Sequence, residues 1–440
     1  MVELNDRPKK ILIIGAGLTG LITAMSLQRQ KNRFSLIILE KERKPGGLCR
    51  TIENNGFYFD YAGHLLHFQR DKFKRFVRKK LSGKLVKSER ESWVYSHGVF
   101  TRYPFQANLF GLPFNVITEC LYGYFQAHFQ SKKKKIKNLD DWIRVTFGEG
   151  IAKHFMIPYN TKLFNRHPSD LSPESIGRFV PKPDYRQVIR GALSGDVKSL
   201  GYNAIFCYPQ QGGIEAFIQA IAKNLSCIRL DQEVKIIDLE RKKVICSTGD
   251  VFDFDFIIST APLPNLIRMI SKVPSNIKRA ASLLEYVSVL NINLGIRGNV
   301  GNKHWVYVPE TKYIFYRIGF PHNFSHLMAP PNCSSISAEI SYMPGKRPDA
   351  EKVINRVIDD LIKMKILPCK KSIISTVTID IPYAYVVFNH QRNNALRIIN
   401  SFLKNHGILS KGRFGSWDYL SMEDAYYEGL SVAANLNQMI

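Results

Sequence analysis

Residues 10–68 read KILIIGAGLTGLITAMSLQRQKNRFSLIILEKERKPGGLCRTIENNGFYFDYAGHLLHF. The apolar run 11–14 predicts a strand and passes without a spacer into Gly15-Ala16-Gly17-Leu18-Thr19-Gly20. A helix-like segment, 21–28, follows, and a second strand-like run, 34–39, ends on Glu40. Gly15 permits a tight turn, Gly17 lets backbone approach a pyrophosphate, and Gly20 lets helix pack closely on strand. The N–H groups opening the helix then face the phosphates, and Glu40 can accept from a ribose hydroxyl. Strand, glycine turn, helix, second strand and acid together predict a dinucleotide-binding site.

A second glycine pair lies just beyond, in Gly46-Gly47-Leu48-Cys49-Arg50-Thr51. It can bring backbone N–H groups and Arg50 to a pyrophosphate or flavin edge, or it can be a surface turn with a helix cap. Together the two stretches resemble the amino-terminal FAD-binding region of the amine oxidase, protoporphyrinogen oxidase and UDP-galactopyranose mutase superfamily. That resemblance implies FAD as cofactor and an α/β fold with a Rossmann-like FAD-binding domain, a helical insert and an antiparallel-sheet substrate domain.

A chain of 440 residues exceeds a usual single core, and 45% hydrophobic with 22% charged residues is a globular composition. The seven cysteines, at 49, 120, 207, 227, 246, 333 and 369, make neither a CxxC pair nor a close cluster, so reduced thiols and no metal site are expected. No leader is read in the polar residues 1–9, and no apolar run approaches the ~18 residues that span a bilayer. A cytoplasmic location is expected. The formal charge of +25 favours anionic partners, but the lysine runs 132–135 and 72–87 read as solvated faces without a nucleic-acid recognition motif.

Further along, GFYFDYAGH (56–64) alternates like a strand and ends on His64 after Ala62-Gly63. Residues 93–108, WVYSHGVFTRYPFQAN, read as a hairpin followed by Tyr103-Pro104-Phe105-Gln106. This offers either aromatic faces and an amide to a base, or a plug for the core. Residues 112–200 carry helical spacing at 116–129, 139–147 and 151–155. Short strands are expected across 228–260 and a β-rich succession across 283–343. There the alternation of 314–318 puts Arg317 on one strand face, where an inward arginine needs an anionic partner, a phosphate or an internal carboxylate. Helices are expected at 350–363, 393–405 and 422–439, the last capped by Ser421.

Three segments narrow the resemblance to UDP-galactopyranose mutases: YPFQAN (103–108), FMIPYNTK (155–162) and GRFGSWDY (412–419). The resemblance implies a uridine cradle at Tyr103, Phe105 and Gln106, with Tyr159 and Asn160 closing over the nucleotide and Asn203 and Tyr307 beside the substrate. It implies that Arg178, Arg317, Tyr385 and Tyr419 hold the diphosphate. His64, Gly63, Leu48, Gly412, Arg413 and Met422 would lie at the flavin, and Val234 at the adenine. Phe164, Phe324 and Asp418 depart from the family pattern, as does Ala62 where the family has glycine. The implied activity is ring contraction of a nucleotide sugar, probed best as UDP-galactose, with N5 of reduced FAD as nucleophile. It needs a reductant, NAD(P)H or external, and allows a homo-oligomer. The expected organisation is an FAD-binding part at 1–105, a helical lobe at 106–200, a second FAD-binding part at 201–282, a sheet domain at 283–390 and a closing FAD-binding part at 391–440. The rivals are an FAD-dependent oxidoreductase acting on an amine, porphyrin-like or polyene substrate, and a non-catalytic binder like the prenylated-GTPase chaperones.

Overall fold

Lys9–Ile14 is buried along its last four residues on both faces, as a central parallel strand must be. In the computed structural model, which describes residues 7–30, 33–129, 135–175, 180–194 and 204–439, this strand is the middle of a five-stranded parallel sheet. Phe34–Leu39 and Ile228–Arg229 lie on one side of it, Phe256–Ser259 and Ile408–Ser410 on the other. The sheet therefore draws its strands from segments almost 400 residues apart in the chain. Leu18–Leu27 is buried on nearly every side because it lies between this sheet and the C-terminal helix Met422–Met439. The two helices approach at Gly429, where a Cβ would lie 2.8 Å from Thr19 O. Thr19 and Thr23 hydroxyls donate across the seam to the carbonyls of Ala425 and Gly429.

The second large sheet has seven strands in the order Ile373–Val386, Tyr286–Arg297, Cys333–Tyr342, Arg317–Gly319, Trp305–Tyr307, Ser92–Ser96 and Val99–Arg102. All neighbours are antiparallel except Ser92–Ser96, which runs parallel to Trp305–Tyr307. The hairpin at 92–102, grouped by sequence order with the first FAD-binding part, is thus hydrogen-bonded into the substrate-side sheet. Two interior faces, one against Ala350–Lys363 and one towards the nucleotide-binding half, keep Tyr286–Arg297 buried for ten consecutive residues, Ser288, Asn291 and Asn293 included.

The helical lobe contains Phe114–Phe129, Leu139–Ile151, Ile157–Phe164 and Tyr185–Leu193. Asn138 caps the second by accepting from Asp141 N–H at 2.8 Å, and Asp184 and Gln187 form a capping box on the last. The first two helices touch backbone to backbone, since a Cβ at Gly150 would fall 2.3 Å from Glu119 O. Before Pro158 the helix widens to a π-turn over Ala152–Met156, which relieves the clash of a proline ring with the preceding turn. No helix among the described residues is long and apolar enough to cross a membrane.

Candidate active site

The glycine-rich turn combines two closely packed glycines with one that opens on free space. A Cβ at Gly15 would lie 2.4 Å from Thr260 Oγ1 and one at Gly20 would lie 2.2 Å from Gly15 O, so both are tightly enclosed. At Gly17 a Cβ would meet nothing within 4 Å, and no side chain caps the helix that starts there. The open space therefore faces uncapped N–H groups, the arrangement an anion requires. Gly46 N–H donates to Ala16 O at 2.9 Å and Gly46 bridges Gly17, so the two glycine turns form one wall. Glu40 is buried and accepts from Ala16 N–H (2.7 Å) and Glu42 N–H (3.1 Å); burial raises its pKa against those donors. The segment before Val234 passes alongside, with Gln232 N–H on Glu40 O at 2.8 Å, while the Val234 side chain itself is buried. Arg50 donates to Gly47 O at 2.8 Å, pairs with Glu42 at 3.1 Å and lies over the Tyr61 ring, fixing the second turn. Leu48 is half-buried beside it.

At the other end of this cradle, Gly412 packs on Thr19 and donates its N–H to Glu428 at 2.6 Å. Arg413 donates to Leu420 O (2.8 Å) and Ala384 O (3.2 Å), yet its buried Nε has no partner. Met422 is the first residue of the last helix, half-buried, and Ser421 caps that helix by accepting from Asp424 N–H. An orphaned guanidinium nitrogen, an uncapped helix start and an open glycine face fit a bound dinucleotide such as FAD.

His64 lies next to this cradle. Ala62 keeps the left-handed backbone, φ 60°, in spite of its methyl, and Gly63 is required because a Cβ would lie 1.6 Å from the Trp305 ring. Asn291, turned as its neighbours demand, accepts from Ala62 N–H at 3.2 Å and donates to Ala338 O, which ties the turn to the seven-stranded sheet. His64 Nδ1 is 3.2 Å from Ala62 O. Burial, assisted by the charges of Arg413 and Arg317, pushes its pKa down to about 4, so the imidazole is neutral at neutral pH.

Between the sheet and the helical lobe opens a cavity of about 120 Å³. Tyr103, Tyr159, Asn160, Phe164, Tyr307, Tyr385 and Tyr419 line it, with Phe155 and Phe388 among the apolar remainder. Tyr103 and Tyr307 rings lie 4.7 Å apart, and the Tyr307 hydroxyl accepts from Arg90. Arg317 makes a fork on Glu339, Nε to Oε1 at 3.0 Å and NH2 to Oε2 at 2.7 Å, and NH2 also reaches the Tyr385 hydroxyl at 3.3 Å. Burial opposes that charge, but the fully buried Glu339 and the surrounding tyrosines hold the Arg317 pKa well above the ordinary arginine value. Tyr385 stacks on Tyr419 at 5.8 Å, and Arg413 lies 4.3 Å over the Tyr419 ring. A continuous chain of contacts, Arg317–Tyr385–Tyr419–Arg413, thus links cavity to cradle. Burial pushes the Tyr385 pKa up to about 12 and raises that of Tyr159 well above the usual phenol, so both stay protonated donors.

Most of the sequence-derived residues converge on these two adjoining spaces. Phe105 and Gln106 do not: Phe105 stacks on Phe155 at 5.0 Å behind the cavity wall, and Gln106, fully buried, donates to Pro181 O at 2.7 Å. Both face the helical lobe because the hairpin is clamped between the lobe and the sheet. Arg178 and Asn203 lie outside the described residues. Of the departures, Phe164 lines the cavity, Phe324 packs in a nest with Phe206, Tyr208, His304 and Trp305, and Asp418 lies 3.8 Å from Arg392. Sequence reading missed Glu339, Asn291 and Lys162. A signal existed for Glu339, the one charged residue in the strand run SISAEISYM, since a buried carboxylate demands a partner.

Fold and cradle together define a dinucleotide-binding flavoprotein with a second, seven-stranded sheet. The model of the flavin containing amine oxidoreductase family matches residues 18–437, and the chain belongs to that family. Its cofactor is FAD. A crystal structure of reduced UDP-galactopyranose mutase is similar with a TM-score of 0.88 and 29% identity, over 98% of this chain and 94% of that one. The coproporphyrinogen III oxidase of Bacillus subtilis (strain 168) is 22% identical over 346 residues, 68% of this chain and 70% of that protein. An oxidoreductase from Methanosarcina mazei shares the fold, with a TM-score of 0.66 and 15% identity over 97% of this chain and all of that one. The family match, the mutase structure and the Bacillus subtilis relative support an enzyme of the flavin oxidoreductase type.

Proposed function

We propose that this protein is a flavin-dependent mutase that interconverts pyranose and furanose forms of a nucleotide-diphosphate sugar. The observation carrying the reading is the chain of contacts from Arg317 through Tyr385 and Tyr419 to Arg413, which joins an aromatic cavity to the cofactor cradle. The likeness to reduced UDP-galactopyranose mutase over nearly the whole chain supports it. In this reading Gly15, Gly17, Gly46 and Gly47 hold the FAD diphosphate, Glu40 its ribose, and Arg413 with Met422 the flavin end. When bound and reduced, FAD supplies the nucleophile for sugar chemistry.

The protein's own groups bind, orient and shield. Tyr103 and Tyr307 offer ring faces to a base, and Asn160 offers an amide. Arg317 with the hydroxyls of Tyr385, Tyr419 and Tyr159 donates to the diphosphate and stabilises charge on it as the glycosidic bond opens. Neutral His64 positions the cofactor side of the cavity and carries no charge at neutral pH. Dithionite-reduced protein incubated with UDP-galactopyranose and with UDP-galactofuranose tests the reading, the products being resolved by chromatography. Interconversion supports it; no turnover by the reduced, FAD-loaded protein refutes the galactose assignment.

A second reading, an FAD-dependent oxidoreductase acting on an apolar ring substrate, draws on the apolar wall formed by Phe155, Met156, Leu163, Val180, Val386 and Phe388 and on the coproporphyrinogen III oxidase relative. Oxygen consumption by the oxidised protein with coproporphyrinogen III, and no mutase turnover, would select it.

A further inference from the structure

Lys162 ends in a place that the mutase reading does not use. Its ammonium donates to three backbone carbonyls, Val308 O at 2.9 Å, Glu310 O at 3.0 Å and Phe315 O at 2.6 Å. Three donors meet three acceptors, which saturates the group. Its helix, Ile157–Phe164, carries Tyr159, Asn160, Leu163 and Phe164 on the cavity wall. The three carbonyls belong to the turn between Trp305–Tyr307 and Arg317–Gly319: Val308 follows Tyr307, and Phe315 precedes Arg317 by two residues. Lys162 O in turn accepts from Ser341 Oγ on the next strand.

We propose that Lys162 is a positioning residue whose ammonium ties the Ile157–Phe164 helix to the strand turn carrying Tyr307 and Arg317, and so sets the separation of the two walls that grip the ligand. The proposal rests on the reading of this cavity as the substrate site.

Burial draws the lysine pKa down to about 7, with Asp360 and Glu310 acting the other way. Asp360 is shared with Arg356 at 3.0 Å and Lys363 at 4.0 Å, and Glu310 with Lys312 at 3.2 Å. A neutral amine keeps two N–H groups for three carbonyls, so the tie weakens as pH rises through that value. His64 and His67, both near 4, titrate below this range, while Asp60, near 7, titrates within it and is separated from Lys162 only by substitution.

The experiment uses the full-length oxidised holoprotein with UDP-galactopyranose, whose diphosphate diester carries constant charge across neutral pH. Binding is followed by calorimetry from about pH 6 to about pH 8.5, and hydrogen exchange of residues 157–164 and 308–316 is followed without ligand. Wild-type affinity should fall roughly tenfold across that range, with a parallel fall in protection factors. Lys162→Met should be weak at every pH with unchanged FAD content. Lys162→Gln, which keeps two N–H groups, should be intermediate and flat. The proposal is overturned if wild-type protection is independent of pH, or if Lys162→Met keeps the wild-type pH profile. Should the wild type not bind the nucleotide sugar at all, the substrate reading fails, and the exchange data still decide the role of Lys162.

Discussion

Replacing Arg317 by methionine separates its two tasks. The stem is retained, but Glu339, with a side chain only 1% exposed, loses the guanidinium fork, leaving the Tyr316 hydroxyl as its donor. Breaking a buried pair from one side costs about 3–5 kcal/mol. For a chain of 440 residues the unfolding entropy is on the order of 0.9 kcal/mol/K, so Tm should fall by roughly 3–5 °C. In the double variant Arg317→Met, Glu339→Gln no unpaired charge is left, and most of that loss should return. Affinity should not return with it. Arg317 NH1 makes no hydrogen bond within the described residues, and one charge-assisted bond from it to a diphosphate is worth about 1.5–3 kcal/mol, or roughly 10- to 150-fold in Kd. Thermal unfolding of the holoprotein, FAD content from absorbance after denaturation, and calorimetric titration with UDP-galactopyranose read the three quantities separately. Unchanged affinity of an FAD-loaded Arg317→Met protein removes Arg317 from the site. An unchanged Tm, or a double variant no more stable than the single one, refutes the energetics assigned to the ion pair.

Gly17→Ala should leave the stability of the apoprotein nearly unchanged, because a Cβ there meets nothing within 4 Å, and should lower FAD occupancy if the proposed cradle holds the diphosphate there. Gly63→Ala should instead lower apoprotein stability by about 1–3 kcal/mol or more, read by denaturant titration, because its Cβ would overlap the Trp305 ring. Asp60 is held by Thr51, Tyr208 and Ile214 N–H, and burial raises its pKa to about 7. Its folded pKa lies above its unfolded one, so its contribution is fully present below about pH 4 and is lost as pH rises towards 7. Asp60→Asn should therefore flatten the fall of Tm between those values, and an unaltered pH profile would argue against the assignment. Tyr385→Phe should weaken UDP-galactopyranose binding several-fold and leave FAD content intact, measured by the same titration.

The nucleotide-binding half was legible in the sequence because its determinants are local. Gly15, Gly17, Gly20 and Glu40 act within one strand–turn–helix–strand unit, and the same short stretch that orders them in sequence orders them in space. The helices at 350–363 and 422–439 were equally legible from their spacing. Phe105 and Gln106 show the opposite case. Their aromatic and amide chemistry suits a base, but which way a hairpin end faces depends on the strand it pairs with, and Ser92–Ser96 pairs with a strand more than 200 residues away.

Arg317 lies between the two. Strand alternation put it on one strand face, where an inward arginine needs an anion. Whether that anion is a ligand or a carboxylate was open, and the register Arg317↔Glu339 supplies the carboxylate directly opposite. The sequence by itself determined the strand–turn–helix–strand unit with its glycine turn and Glu40, since local backbone geometry and periodic burial are encoded residue by residue. Only the tertiary structure decided that Arg317 is already neutralised, that Tyr385 and Tyr419 connect it to Arg413, and that Lys162 joins the walls of the cavity. Each of these contacts joins distant segments, and no local spacing rule reports a partner that chain folding alone brings within 3 to 6 Å.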